Sequence, residues 1–172
     1  MFALIDGDIL LYRAGFSSEN ETSDIAVFHF DKMLDSILQD LNTDNYKLYL
    51  SDGREGNFRY KIYPEYHANR IKPKPKWYDE LKEYAVGVYD AEIAHGQEAD
   101  DALGIDQTDI APLGVICSID KDLLQIPGMH YNFVKKEKKE VSGFQGLNWF
   151  YQQLLIGDQV DNVYGVDGIG KV

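Results

Sequence analysis

Cysteine is nearly absent from this chain: Cys117 is the only one in 172 residues, so no intramolecular disulfide can form and no cysteine-based zinc site can assemble. Histidine is scarce as well. His29, His67, His95 and His130 lie far apart in unlike contexts and make no ligand cluster. No apolar run approaches the roughly 20 residues that a bilayer span requires, and no charged and apolar leader precedes the first strand-like run. These absences predict a soluble protein in a reducing, cytoplasmic compartment with no membrane partner. Positive charge is short too. With 17 Lys and Arg against 29 Asp and Glu the formal charge is -12, which taken alone points away from nucleic acid. There is no Ser-His-Asp spacing and no Walker-type loop, so triad chemistry and ATP hydrolysis are set aside, and Cys117, inside an apolar strand, reads as core.

Short apolar runs are plentiful, and 44% hydrophobic residues suffice for one domain with a sizeable core. "FALI" (Phe2 to Ile5), "YKLYL" (Tyr46 to Leu50), "VGVY" (Val86 to Tyr89) and "GVICSI" (Gly114 to Ile119) read as buried strands. Between the first two, Met33, Leu34, Ile37, Leu38 and Leu41 share one helical face. Strands alternating with helices imply an α/β fold with a mainly parallel central sheet flanked by helices. Ligands in such folds bind beyond the carboxyl ends of the strands.

Acid stands at those ends. Asp6 and Asp8 follow the first strand, Asp52 the second, and Asp120 and Asp122 the last. "EADD" places Glu98, Asp100 and Asp101 at a helix start on the same side, and "GDQVDN" adds Asp158 and Asp161, spaced as on one face of a helical turn. Each segment has an ordinary reading by itself: an Asp-Gly turn, acids favoured by a helix dipole, a surface turn. Their joint occurrence after successive strands is what those readings fail to explain. Carboxylates held within a few ångströms raise one another's pKa values, and hard divalent cations with oxygen ligands, Mg²⁺ or Mn²⁺, relieve the repulsion.

Two further stretches bear on function. From Arg54 to Lys76 the chain collects Arg59, Lys61, Arg70 and several lysines, interleaved with Phe58, Tyr60, Tyr63 and Tyr66, which suits phosphates and unstacked bases. The alternating Lys-Pro run there forbids regular helix. "VKKEKKEV" (Val134 to Val141) reads as a solvated hairpin or loop. Near the C-terminus, Gly165, Gly168 and Gly170 allow a tight turn of the kind that grips a phosphate or a monovalent ion such as K⁺.

In this order, "LIDGDILLYRA", "SDGREGNFRYKIYPEYHANR", "EADDALG", "SIDKDLLQIPG" and "GDQVDNVYGVDGIGK" resemble the 5′-nuclease, or flap endonuclease, superfamily with its PIN-like fold, especially phage 5′-3′ exonucleases and the 5′-nuclease domain of bacterial DNA polymerase I. The resemblance implies a nuclease domain over 1–156, with a helical arch segment near 53–80, and the start of an incomplete helix-three-turn-helix over 157–172. It assigns Asp6, Asp52, Glu98, Asp100 and Asp101 to a first metal cluster and its shell, and Asp120, Asp122, Asp158 and Asp161 to the remaining ligands. Asp8 stands outside this set. Arg13 matches an arginine near the scissile phosphate. Arg59, Lys61, Tyr66, His67 and Arg70 fall at the base of the arch, with Tyr66 as a stacking platform, and Gly165, Gly168, Gly170 and Lys171 fall in the duplex-gripping turn. Where the family usually has lysine after the "PEY" tyrosine, this chain has His67. The implied activity is two-metal hydrolysis of DNA near a 5′ end, flap or nick, with an RNA primer strand and replication proteins as further partners. A non-cleaving structure-binding module and a PIN-type ribonuclease are the alternatives.

Overall fold

The structure is a computed structural model that describes residues 1–170. Its first strand sets the frame. In β1 (Phe2–Asp6), Ala3, Leu4 and Ile5 are wholly buried, so the strand can lie only at the centre of a sheet covered on both faces. It pairs in parallel with β2 (Tyr46–Ser51) on one side and β4 (Gly114–Cys117) on the other. Beyond these lie β3 (Glu92–Ala94) and β5 (Gly128–Asn132), also parallel, and the antiparallel edge strand β6 (Glu137–Val141). The order is β3-β2-β1-β4-β5-β6. Asp6, Ser51 and Cys117 therefore end neighbouring strands at one edge.

Alternation along β1 divides the core. Ala3 and Ile5 face α1 (Gly7–Ser17), α2 (Ser23–Leu41) and α4 (Tyr78–Tyr89), whose Leu10, Leu11, Phe30, Leu34, Ile37 and Leu81 fill that layer. Leu4 faces α5 (Ala99–Ile110) with Tyr49, Ile116 and Leu103. The helical stripe read from α2 holds: Leu34, Ile37 and Leu41 are buried, and Met33 and Leu38 pack at its margin. α3 (Phe58–Ile62) is short, and the Lys-Pro run after it is irregular, as its prolines require. The Lys-rich stretch forms the turn and second strand of the β5–β6 hairpin.

Two expectations are corrected. "VGVY" is the last turn of α4, not a strand, because Tyr78, Leu81 and Ala85 recur at helical spacing and bury together. The true strand, β3, carries the far weaker signal "EIA". Asp158 and Asp161 do not share a helical turn. α6 (Gly143–Ile156) ends at Gly157, and β7 (Gly157–Asp158) and β8 (Val163–Tyr164) make a small hairpin with Asp161 in its turn. Among the described residues no helix is long and apolar enough to cross a membrane.

Gly7 is the joint between sheet and site. A Cβ at Gly7 would lie 2.6 Å from the Tyr49 carbonyl oxygen and 2.7 Å from Leu50 Cδ2, so α1 can start hard against β2 only with glycine there. Gly7→Ala is expected to lower stability by roughly 1–3 kcal/mol in urea denaturation, as overpacking against backbone does.

Candidate metal centre

The carboxylates gather where α1 and α5 begin over the ends of β1, β2 and β4. Asp6 caps α1, accepting from the Ile9 amide at 3.2 Å, and also accepts from the Ser118 hydroxyl at 2.7 Å. It is only 3% exposed. Burial, then the charges of Asp8 and Asp120, outweigh those hydrogen bonds and push its carboxyl up to about 7. Asp8, two residues along, accepts from the Ser51 amide at 3.1 Å, while its Oδ1 is buried with no partner. Burial raises its pKa as well, against the pull of Lys82 and Lys74. Asp100 lies in the first turn of α5 and is held well above the ordinary aspartate range by burial and by Asp6, Asp120, Glu98 and Asp8. One knot of incompletely compensated carboxyls thus joins three strand ends.

A second group adjoins it. Ligand oxygens of Asp122, Asp158 and Asp161 lie within 4.8 Å of one another. Asp158 Oδ1 accepts from the Val160 and Asp161 amides at 2.7 and 3.3 Å, which fixes the β7–β8 turn. Burial, Asp120 and Asp158 push Asp122 up to about 6, and its Oδ1 is buried without a hydrogen bond. Asp120 links the groups, since it accepts from the Asp122 amide at 2.8 Å and its charge acts on both Asp6 and Asp122.

The remaining acids are already neutralised. Glu98 and Asp101 close a capping box at the start of α5. Asp101 grips Arg59 through both guanidinium nitrogens, at 2.5 and 2.8 Å, and although burial raises its pKa, that fork brings it below the ordinary range. Glu98 accepts from Asn57 Nδ2 and the Tyr66 hydroxyl, both at 3.0 Å. Asp52 is held low by the Gly96 and Gly53 amides, at 2.9 and 2.8 Å, and its charge is not among those that chiefly raise Asp6 or Asp100. Asp161 accepts from Arg70 at 2.6 Å and pairs with His67 Nε2 at 3.0 Å, which together overcome the effect of its burial.

Several expected placements change. Tyr66 is 6% exposed and stacks on His67 with centroids 3.8 Å apart, so it offers no open face to a base and serves instead as a hydrogen-bonding post. Arg13 is exposed on α1 beside a groove of about 750 Å³ shared with Tyr12, Phe16, His29, Lys32 and Phe133, and among the described residues it pairs with no acid. Lys61 is exposed on α3, and Gly165, Gly168 and Gly170 follow the hairpin with Gly168 at φ +78°. Lys171 lies outside the described residues. Asp8 is the residue that sequence reasoning undervalued: its place two positions after a strand-ending aspartate, at a helix start, was the available signal.

All-carboxylate donors, two orphaned buried oxygens and raised pKa values fit hard cations bound by oxygen. A family profile described as 5′-3′ exonuclease, N-terminal resolvase-like domain, matches residues 1–149. The chain belongs to this 5′-3′ exonuclease family. It is 27% identical over 189 residues to a 5′-3′ exonuclease of Buchnera aphidicola subsp. Schizaphis graminum, a match over 97% of this chain and 66% of that protein. To the thermostable DNA polymerase I of Thermus thermophilus it is 29% identical over 192 residues, covering 98% of this chain and 22% of the polymerase. The chain thus spans slightly less than two thirds of the first relative and about a fifth of the second. Its fold is that of a phage T5 flap endonuclease solved as a pseudo-enzyme-product complex with DNA and metal ions, with TM-score 0.79, 16% identity and coverage of 98% of this chain and 71% of that one. A phage T5 5′-exonuclease with bound zinc matches with TM-score 0.77 and 19% identity, over 98% and 71% of the two chains.

The raised carboxyls give metal-free stability a definite pH dependence. Unfolded aspartates lose their protons near pH 4, whereas folded Asp6 holds its proton to about 7 and Asp122 to about 6. Between those limits the folded state binds more protons. Stability in EDTA should therefore fall as pH rises from about 4 to about 7, the reverse of the slope that salt-bridged carboxylates give. Asp100→Asn should flatten that fall and raise the midpoint of urea denaturation at pH 7.5.

Proposed function

We propose that this chain is a divalent-metal-dependent 5′-3′ exonuclease and flap endonuclease acting on DNA at 5′ ends, flaps or nicks. The observation that carries the reading is the knot of Asp6, Asp8, Asp100 and Asp120 at the convergent strand ends, where burial and mutual repulsion hold Asp6, Asp8 and Asp100 above the ordinary carboxylate range despite the pull of Lys82 and Lys74 on Asp8. A binder that does not cleave has no use for so destabilising an arrangement. Asp6, Asp8, Asp100, Asp120 and Glu98 would hold one ion, and Asp122, Asp158 and Asp161 a second, with Asp52 and Asp101 in the surrounding shell. When bound, two such ions, Mg²⁺ or Mn²⁺, supply the positive charge that orients a water and the scissile phosphate for hydrolysis.

The chain's own residues do the rest. Ser118 and the Ile9 amide fix the Asp6 oxygens, and the Ser51 amide fixes Asp8, so the oxygen set is rigid before substrate arrives. Arg59 locks Asp101 and with it the first turn of α5 that carries Asp100. Arg13, Lys61 and Arg70 are exposed cations available to phosphates, and the glycine turn at 165–170 would hold the duplex backbone, with K⁺ as a candidate ligand. An RNA primer strand, replication proteins and a cytoplasmic setting belong to the same reading. The sugar preference follows from which strand enters beside the acids, and DNA is the substrate we assign.

End-labelled 5′-flap and blunt duplexes, with matching RNA, test it. Cleavage near the flap junction is expected with Mg²⁺ or Mn²⁺ and none with EDTA, and Asp100→Ala should lower the rate by about 10²-fold or more while DNA binding persists. Metal-independent cleavage, or a rate unchanged by Asp100→Ala, refutes the assignment.

A further inference from the structure

The segment 63–70, between α3 and the Lys-Pro run, is fastened to the β7–β8 turn by contacts that cross nearly a hundred residues of sequence. Tyr63 donates to the Asn162 carbonyl at 3.1 Å, and Asn162 Nδ2 donates back to the Glu65 carbonyl at 2.9 Å. The His67 amide donates to the Asp161 carbonyl at 3.0 Å, and Asn69 Nδ2 donates to the Gln159 carbonyl at 2.5 Å. Asp161 is the centre of this clasp. Its Oδ1 takes both Arg70, at 2.6 Å, and His67 Nε2, at 3.0 Å, while its Oδ2 is 3.3 Å from the Tyr66 hydroxyl. That hydroxyl has one proton and a second acceptor, Glu98 Oε2, at 3.0 Å. His67 is set in the left-handed region, φ +57°, and its Nδ1 meets the Tyr60 hydroxyl at 2.9 Å.

The same Asp161 is one of the three carboxylates whose oxygens converge with those of Asp122 and Asp158. Its two demands conflict. An ion bound among those oxygens would stand a few ångströms from the Arg70 guanidinium, like charge against like charge over a shared carboxylate. We propose that Asp161 serves either the clasp or the cation but not both, so that His67 and Arg70 are positioning residues that set the affinity of the second site, and its filling releases the segment 63–70. The release then loosens the arch base on the side from which a 5′ strand would approach. This inference rests on the metal-site reading above, and its test separates the two.

Mn²⁺ binding to the whole chain is measured by electron paramagnetic resonance of the free ion, without substrate, for wild type, Arg70→Gln and His67→Asn. Arg70 is 52% exposed along its side chain, so Arg70→Gln leaves the fold intact, and asparagine tolerates the left-handed backbone at 67. The weaker of two Mn²⁺ sites should tighten by roughly 5-fold or more in each variant, while Arg70→Lys restores the wild-type value. In wild type, saturating Mn²⁺ should also speed chymotryptic cleavage after Tyr63 and Tyr66. Two sites with affinities unmoved by either variant, or cleavage slowed by Mn²⁺, overturn the clasp and leave the metal centre standing. Absence of any Mn²⁺ binding overturns both.

Discussion

Electrostatic repulsion among buried carboxylates at one edge of the sheet is the constraint around which the site is organised. The parallel order brings the ends of β1, β2 and β4 side by side, and residues placed just past each end have nowhere else to go. Asp6, Asp8 and Asp100 cannot all ionise there without help, and the hydrogen bonds to Asp6 and Asp8 and the pull of Lys82 and Lys74 do not outweigh burial. The flanks are treated otherwise: Arg59 cancels Asp101, and Arg70 cancels Asp161, with His67 Nε2 at the same oxygen. Neutralisation by side chains at the rim and its omission at the centre mark where external cations are required.

This arrangement reconciles the proposed action on DNA with the acidic balance of the chain. A formal charge of -12 describes the whole chain, but a substrate meets local potentials. Two divalent ions would cancel much of the acid at the sheet edge. Several cations follow the clasped segment and the Lys-Pro strap: the Lys74 ammonium lies 3.9 Å from the Tyr78 ring centroid and that of Lys76 4.0 Å from Trp77, each charge held over an aromatic face. Pro75 anchors that strap in the notch above Gly15, where a Cβ would come within 2.6 Å of it.

How much of this was legible in sequence depended on the range of the interactions involved. β1, β2 and β4 announce themselves because burial on both faces demands unbroken apolar runs, and the amphipathic stripe of α2 is equally local. "VGVY" misled because a buried helical turn and a buried strand share composition over so few residues, while β3 owes its place to pairing with β2 more than to its own residues. The acid set was visible as residues but not as groups. Which of Asp100 and Asp101 faces the knot is decided by the capping box and by Arg59, 42 positions earlier, and the burial of Tyr66 by contacts with Glu98 and Asp161 from distant segments. Asp8 was discounted from family habit, although helix geometry from a strand-ending aspartate already turns it toward β2, where Ser51 receives it.

His67, where the resemblance implies lysine, makes sense in that long-range setting. A lysine ammonium has three donors and no acceptor, whereas an imidazole can accept at one nitrogen and donate at the other. His67 meets the Tyr60 hydroxyl through Nδ1 and Asp161, 94 positions away, through Nε2, so one residue bridges the segment 63–70 and the β7–β8 turn. Stacking of Tyr66 on the ring fixes its plane, and the backbone bond from the His67 amide to the Asp161 carbonyl fixes its distance. A flexible ammonium would reach a phosphate more readily but could not hold this geometry. His67 is therefore a rigid link between two segments that meet only in the folded chain, beside Arg70, which is half exposed at the same carboxylate.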